Sequence, residues 1–252
     1  MYFDTHAHYD DDAFDGDRHA LLAQMAEGGV ELIVNAGCSM PSTRRGQMFS
    51  HIYPFMYFSA GVHPHDARLM TDTDLDELRE IAKDPKCVAI GEIGLDYHYD
   101  FSPRDIQKKR FYDQMLLARE LKKPVIIHER EACAEVLDIV TQFKDLRGVY
   151  HCFSGSWETA KTILDQGWYL SFTGVITFKN ARKALEVIEK MPADRLMIET
   201  DSPYLSPVPK RGKRNSSLNL NYIAAKAAEV RGITPEELAA LTLENGRRFF
   251  EI

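Results

Sequence analysis

Three observations predict an α/β chain of the (β/α)8 barrel, or TIM-barrel, class. Eight apolar runs have strand length, amphipathic segments with helical spacing lie between most of them, and polar residues gather where the runs end. The strands are expected at residues 2–6, 31–36, 55–61, 87–92, 124–128, 148–151, 168–172 and 196–200. Strand, helix, strand, repeated, implies parallel strands joined by right-handed crossovers. The 252 residues suit one barrel, so a single domain over 1–252 is expected. A doubly wound open sheet is the alternative, but no Gly-rich phosphate loop follows the first strand to favour it.

The chain opens on Phe3-Asp4-Thr5-His6-Ala7-His8. Strand side chains alternate, so Asp4, His6 and His8 share one face, and two imidazoles leaving a strand end on one side can converge on a divalent ion. Helical spacing is clear at residues 106–121, through Phe111, Met115 and Ala118, and at 181–190, through Ala184, Leu185 and Ile188. Residues 202–217 break the pattern. They hold Pro203, Pro207 and Pro209 and then the basic run Lys210-Arg211-Gly212-Lys213-Arg214, the composition of a functional loop. Helices are expected again at about 219–231 and 235–250, the last announced by Thr234-Pro235-Glu236-Glu237 as an N-cap, a first-turn proline and first-turn acids.

Composition excludes several classes. Hydrophobic content of 44% and charged content of 27% suit a globular core. A net charge of -7 argues against bulk attraction to polyanions, so any nucleic-acid contact must be a local site. Cys38, Cys87, Cys133 and Cys152 form no close pair; each reads as a small buried apolar residue in a reducing compartment. No apolar run reaches the roughly 18 residues of a membrane span. A first strand at residue 2 leaves no room for a targeting peptide, and a cytoplasmic location is the expectation by elimination.

In such barrels the active site lies at the C-terminal strand ends. Those ends carry His6 and His8, His63 and His65, Glu92, His128, His151 and Asp201; with His98, seven of the nine histidines fall at or just past a strand end. Plain alternatives exist: Glu92 as a turn carboxylate, His128 and His151 as satisfied core residues, Asp201 as an N-cap. Taken together, His6, His8, Glu92, His128, His151 and Asp201 make four imidazoles and two carboxylates. That is too many for one four-coordinate ion and suits two divalent ions bridged by a carboxylate, a centre fit for hydrolysis. Asp96 and Tyr97 are read as support for the site, and His19, His51 and His98 as ordinary polar residues.

The ordered motifs resemble the TatD family of metal-dependent deoxyribonucleases along the whole chain. They are Asp4-Thr5-His6-Ala7-His8, Gly61-Val62-His63-Pro64-His65, Gly91-Glu92-Ile93-Gly94-Leu95-Asp96-Tyr97, Pro124-Val125-Ile126-Ile127-His128, His151-Cys152-Phe153-Ser154-Gly155-Ser156 and Glu199-Thr200-Asp201-Ser202-Pro203-Tyr204-Leu205. The resemblance implies that His6, His8, Glu92 and Asp201 bind one ion and Glu92, His128 and His151 a second. It implies Asp201 as the group that orients or deprotonates water, with Glu92 also counted as catalytic, and His63 as a phosphate contact. It further implies hydrolysis of DNA phosphodiesters, often as a 3′–5′ exonuclease; RNA is the further substrate considered, and no obligate protein partner is evident. Arg211 and Arg214 are the expected backbone contacts. The ion is Mg2+, Mn2+ or Zn2+: four imidazoles suit zinc or manganese, whereas family nucleases commonly use magnesium. Two departures bear on substrate choice. Ser216-Ser217-Leu218 stands where an acidic residue and proline are usual, and Glu129-Arg130-Glu131 replaces the commoner Ser-Arg-Asp. A D-aminoacyl-tRNA deacylase or amidohydrolase using the same metals is the second reading, and a non-enzymatic barrel the third.

Overall fold

The computed structural model describes residues 1–252. Its strands are β1 (Tyr2–Ala7), β2 (Val30–Asn35), β3 (Met56–Ala60), β4 (Cys87–Asp96), β5 (Val125–Arg130), β6 (Gly148–Tyr150), β7 (Tyr169–Phe172) and β8 (Leu196–Ile198). The helices between them are α1 (Arg18–Leu22), α2 (Met40–Ile52), α3 (Asp72–Ile81), α4 (Arg104–Leu121), α5 (Cys133–Val140), α6 (Trp157–Leu164) and α7 (Arg182–Lys190). After β8 come α8 (Leu220–Arg231) and α9 (Pro235–Phe250). The strands form one eight-stranded sheet in the order β1 to β8, their registered pairs parallel, and β8 meets β1 again. The fold is the (β/α)8 barrel that the alternation predicts.

By contacts the chain divides into two compact units, Met1–Asn35 with Cys152–Ile252, and Ala36–His151. In the first, α9 packs on β1 and β8. Its Thr234 accepts from the Glu237 amide while the Glu237 carboxylate accepts from the Thr234 amide, closing a capping box that satisfies two orphan donors. Glu236 and Glu237 in the first turn and Arg247 and Arg248 in the last complement the helix dipole. Phe249 and Phe250 then pack against Tyr169 and Phe3, with ring centroids 5.0 and 5.7 Å apart.

In the second unit every residue of β4 is buried, as expected of a central parallel strand covered on both faces. It runs four residues beyond the end expected at residue 92, because Gly91 and Gly94 interrupt the apolar pattern without interrupting the ladder. Gly94 takes φ +150, and a Cβ there would collide with the His128 carbonyl oxygen on β5. The α4 stripe is as read: Phe111, Met115 and Ala118 are buried. Of the cysteines, all free, only Cys87 is buried; Cys38, Cys133 and Cys152 are half-buried because they lie just past strands or at a helix start.

Two stability outcomes follow. Gly94→Ala forces β4 away from β5 and strains the backbone, so urea unfolding should show a loss of at least about 2–3 kcal/mol. Thr234→Ala removes only a cap, and the same assay should read about 1 kcal/mol.

Candidate metal centre

Two groups of imidazole and carboxylate donors stand at strand ends, one in each unit. In the first unit, β1 delivers His6 and the turn after it His8, while the stretch after β8 delivers Asp201. The Nε2 atoms of His6 and His8 are 3.1 Å apart, and Asp201 Oδ1 is 3.6 Å from the first and 3.2 Å from the second. Donors about 2.0–2.2 Å from a four-coordinate ion stand about 3.3–3.6 Å from one another. The spacing is that of a ligand set.

The chain ends are locked to make this possible. The Asp201 amide donates to the His6 carbonyl and the His8 amide to the Ser202 carbonyl, at 2.9 and 2.7 Å. Asp4, on the same face of β1, accepts from the Thr200 amide and hydroxyl and from the Ser217 hydroxyl. Burial pushes the Asp4 carboxyl up to about 7, against the pull of these hydrogen bonds. Glu199 is likewise a fastener, accepting from the Cys152 amide and the Ser171 hydroxyl.

In the second unit Glu92 Oε1 is the hub. His128 Nδ1 and His151 Nε2 each lie 2.8 Å from it, and His128 Nδ1 and His151 Nε2 are 3.3 Å apart. On its other side His128 Nε2 meets Asp96 Oδ2 at 3.1 Å. Donation of that Nε2–H to a carboxylate leaves the Nδ1 lone pair facing Glu92 and His151, the tautomer a metal ligand needs. Burial works against a charged His128, yet its bonds with Asp96 and Glu92 prevail and raise its pKa. Burial also disfavours the Asp96 anion, but the bonds from His128 and His65 outweigh it and hold the carboxyl far below its usual range.

His63 also lies near, its Nε2 3.5 Å from Glu92 Oε1. Its Nδ1 accepts from the His65 amide at 3.2 Å, so in the neutral ring the proton is on Nε2. Burial and the neighbouring His128 keep that ring neutral by pulling its pKa well below normal. A neutral imidazole with Nε2–H is a hydrogen-bond donor toward the cluster rather than a ligand in it.

Helix α4 holds both strand ends in place. Gln107 accepts from the Asp96 amide and donates to the Asp96 carbonyl; Gln114 does the same for Val62, beside His63. Both glutamines are buried.

The basic loop is less free than its composition suggests. Arg214 donates to Asp17 and to the Ala13 carbonyl, both at 2.6 Å, and lies over Phe14. Arg211 stacks its guanidinium over Phe178 at 4.1 Å, beside a cavity lined by Tyr204, Leu205 and Lys213. The supporting roles of Asp4, Glu199 and His65 were not apparent from composition. Asp96 had a signal, since Glu92, Gly94 and Asp96 alternate onto one face of β4.

Clustered imidazoles and carboxylates at the strand ends of a (β/α)8 barrel define a metal-dependent hydrolase. A family model described as TatD related DNase matches residues 3–251, and the chain belongs to this family of metal-dependent hydrolases. It is 44% identical to an uncharacterized metal-dependent hydrolase of Bacillus subtilis, YabD, over the full length of both. It is 36% identical to a protein of Cronobacter sakazakii named 3′-5′ ssDNA/RNA exonuclease TatD, over 98% of this chain and 97% of that one. A solved TatD homologue from Escherichia coli, YJJV, superposes with a TM-score of 0.93 at 29% identity, over 100% of this chain and 98% of that one.

If Asp96 sets the His128 tautomer, Asp96→Ala should weaken divalent-metal binding about 10–100-fold. Competition against a chromophoric chelator measures it; unchanged affinity would remove Asp96 from the metal centre.

Proposed function

We propose that residues 1–252 act as one domain that hydrolyses DNA phosphodiesters, as a 3′–5′ exonuclease working through two divalent ions. In this reading His6, His8, Asp201 and Glu92 serve one ion, and Glu92, His128 and His151 the other. The observation that carries it is the donor spacing around Glu92 and around His6 and His8, in a chain matched end to end by relatives of which some are named exonucleases. Divalent ions held there would lower the pKa of water and draw charge from phosphoryl oxygens.

The chain's own groups supply the rest. Asp201 orients the attacking water and accepts its proton. Glu92, nearly encircled by imidazoles, fixes the donors so that little reorganisation is needed during the reaction. His63 offers its Nε2–H to a non-bridging phosphoryl oxygen. Arg211 takes the strand backbone, and Arg214, anchored to Asp17, shapes the loop that presents it. RNA is a second substrate open to the same chemistry. No helix is long and apolar enough to cross a membrane. Free thiols at all four cysteines suit the reducing cytoplasm.

The test uses single-stranded oligonucleotides labelled at either end, with protein stripped and reloaded with Mg2+, Mn2+ or Zn2+. Stepwise shortening from the 3′ end that requires metal and disappears in Glu92→Ala is the expected result. Absence of cleavage with every metal, in protein shown to bind two ions, would shift the reading to a deacylase. In the same system Arg211→Ala should lower the slope of log affinity against log salt by about 0.7, the signature of one lost phosphate contact on a single strand.

A further inference from the structure

The loop 97–103, between β4 and α4, exposes two aromatic rings beside the Glu92 cluster. Tyr99 is 48% and Phe101 54% exposed, and they stack on each other with centroids 5.1 Å apart and planes 23° from parallel. Buried groups hold their backbone. The Tyr99 amide donates to Asp96 Oδ1, Gln107 donates to the Ser102 carbonyl, and the Ser102 hydroxyl donates to the His65 carbonyl. His65 meets both rings edge-on, at 5.3 Å for Tyr99 and 4.8 Å for Phe101, while its Nε2 lies 3.0 Å from the Asp96 carboxylate that also meets His128. The Arg130 guanidinium lies over the Tyr99 ring, 4.8 Å from its centre. The rings are presented to solvent by a rigid frame, one residue removed from the candidate metal ligands.

Two aromatic rings exposed together and stacked on each other offer a ready-made π surface, the feature on which unpaired bases stack. Their chemistry selects the occupant. Each ring side chain offers 150–250 Å² and about half is open, so the pair exposes about 200 Å². A stable protein interface takes about 800 Å² from each partner, whereas one or two nucleobases fit the area. Arg104 pairs with Asp100 and His98 with Glu131, while Arg130 is already laid over the Tyr99 ring, which leaves Phe101 as the ring that offers an open face. The platform is therefore suited to a flat, uncharged π face more than to a phosphate.

We propose that Tyr99 and Phe101 form a stacking platform for an unpaired nucleobase of a single-stranded substrate, extending their stack alongside the catalytic cluster. This rests on the nucleic-acid reading of the preceding subsection and names how the strand is gripped. Bases held by their faces are accepted without regard to sequence, and a paired base, with both faces already covered, is not. The platform thus selects single strands, and division of labour follows: the rings bind bases, Arg211 binds backbone.

Binding can be measured without turnover. Metal-stripped protein is titrated into a labelled single-stranded decamer, and into decamers of the same length with abasic residues at successive positions from the 3′ end. The double variant Tyr99→Leu/Phe101→Leu should bind the intact strand about tenfold more weakly, the order expected for one lost base–aromatic stack. It should bind the strand that is abasic at the stacked position as the wild type does. That loss should change little with salt, unlike the loss in Arg211→Ala. Phe101→Trp should keep affinity, and its added indole fluorescence should be quenched by the intact strand and not by the abasic one. Equal losses on both strands, or none, would overturn the platform, and so would failure of the wild-type protein to bind single strands. Base-dependent binding without cleavage under any metal would leave the platform standing and reject the nuclease.

Discussion

The carboxylate of Asp96 is the constraint on which the mouth of β4 depends. It is fully buried, and it faces His128 and His65 with one oxygen while the other accepts from the amides of His98 and Tyr99. A buried anion is tolerable only when its lone pairs are engaged, and here they are engaged by groups that matter. The same side chain orients an imidazole toward Glu92, stiffens the loop that follows, and ties the His63–His65 segment to β4. Remove its charge and the imidazoles around it are free to turn. The mouth is organised by one residue that need never touch a metal.

Much of this was legible from the sequence because period and position are strong signals. Apolar runs of strand length located all eight strands, and the capping signature at Thr234 placed α9 to the residue. The histidines at strand ends identified two donor groups, since a strand gains nothing from ending in an imidazole. Other features were hidden for physical reasons. Helices α1 and α5 have five and eight residues, too short for a helical stripe to emerge from noise. The end of β8 falls at Ile198 rather than at residue 200: the Glu199 amide still donates to the Phe172 carbonyl of β7, but the Thr200 amide turns to the Asp4 carboxylate instead of a strand carbonyl.

Side-chain partnership was the least legible layer. Arg214 reads as a free cation in Lys210-Arg211-Gly212-Lys213-Arg214, yet its partner Asp17 is 197 residues away in the chain. Asp4 reads as one more member of a metal-binding face, but hydrogen bonds from Thr200 and Ser217 make it a fastener between the first strand and the segment after the last. Spacing reports which residues share a face. It does not report which distant hydroxyl will meet them, and that distinction separates a ligand from its support.

The two buried glutamines of α4 carry a consequence for how such a mouth can change. Gln107 and Gln114 are seven residues apart, two turns and about 10.5 Å along the axis, and each clasps a different strand end through both halves of its amide. The helix is a ruler: the separation of the His63 and Asp96 anchor points is read off its pitch, not off the loops. Loops on either side are then at liberty to lengthen, shorten or change composition while the gauge holds. A single residue inserted between the two glutamines would swing one clasp by about 100° and lose the register at once.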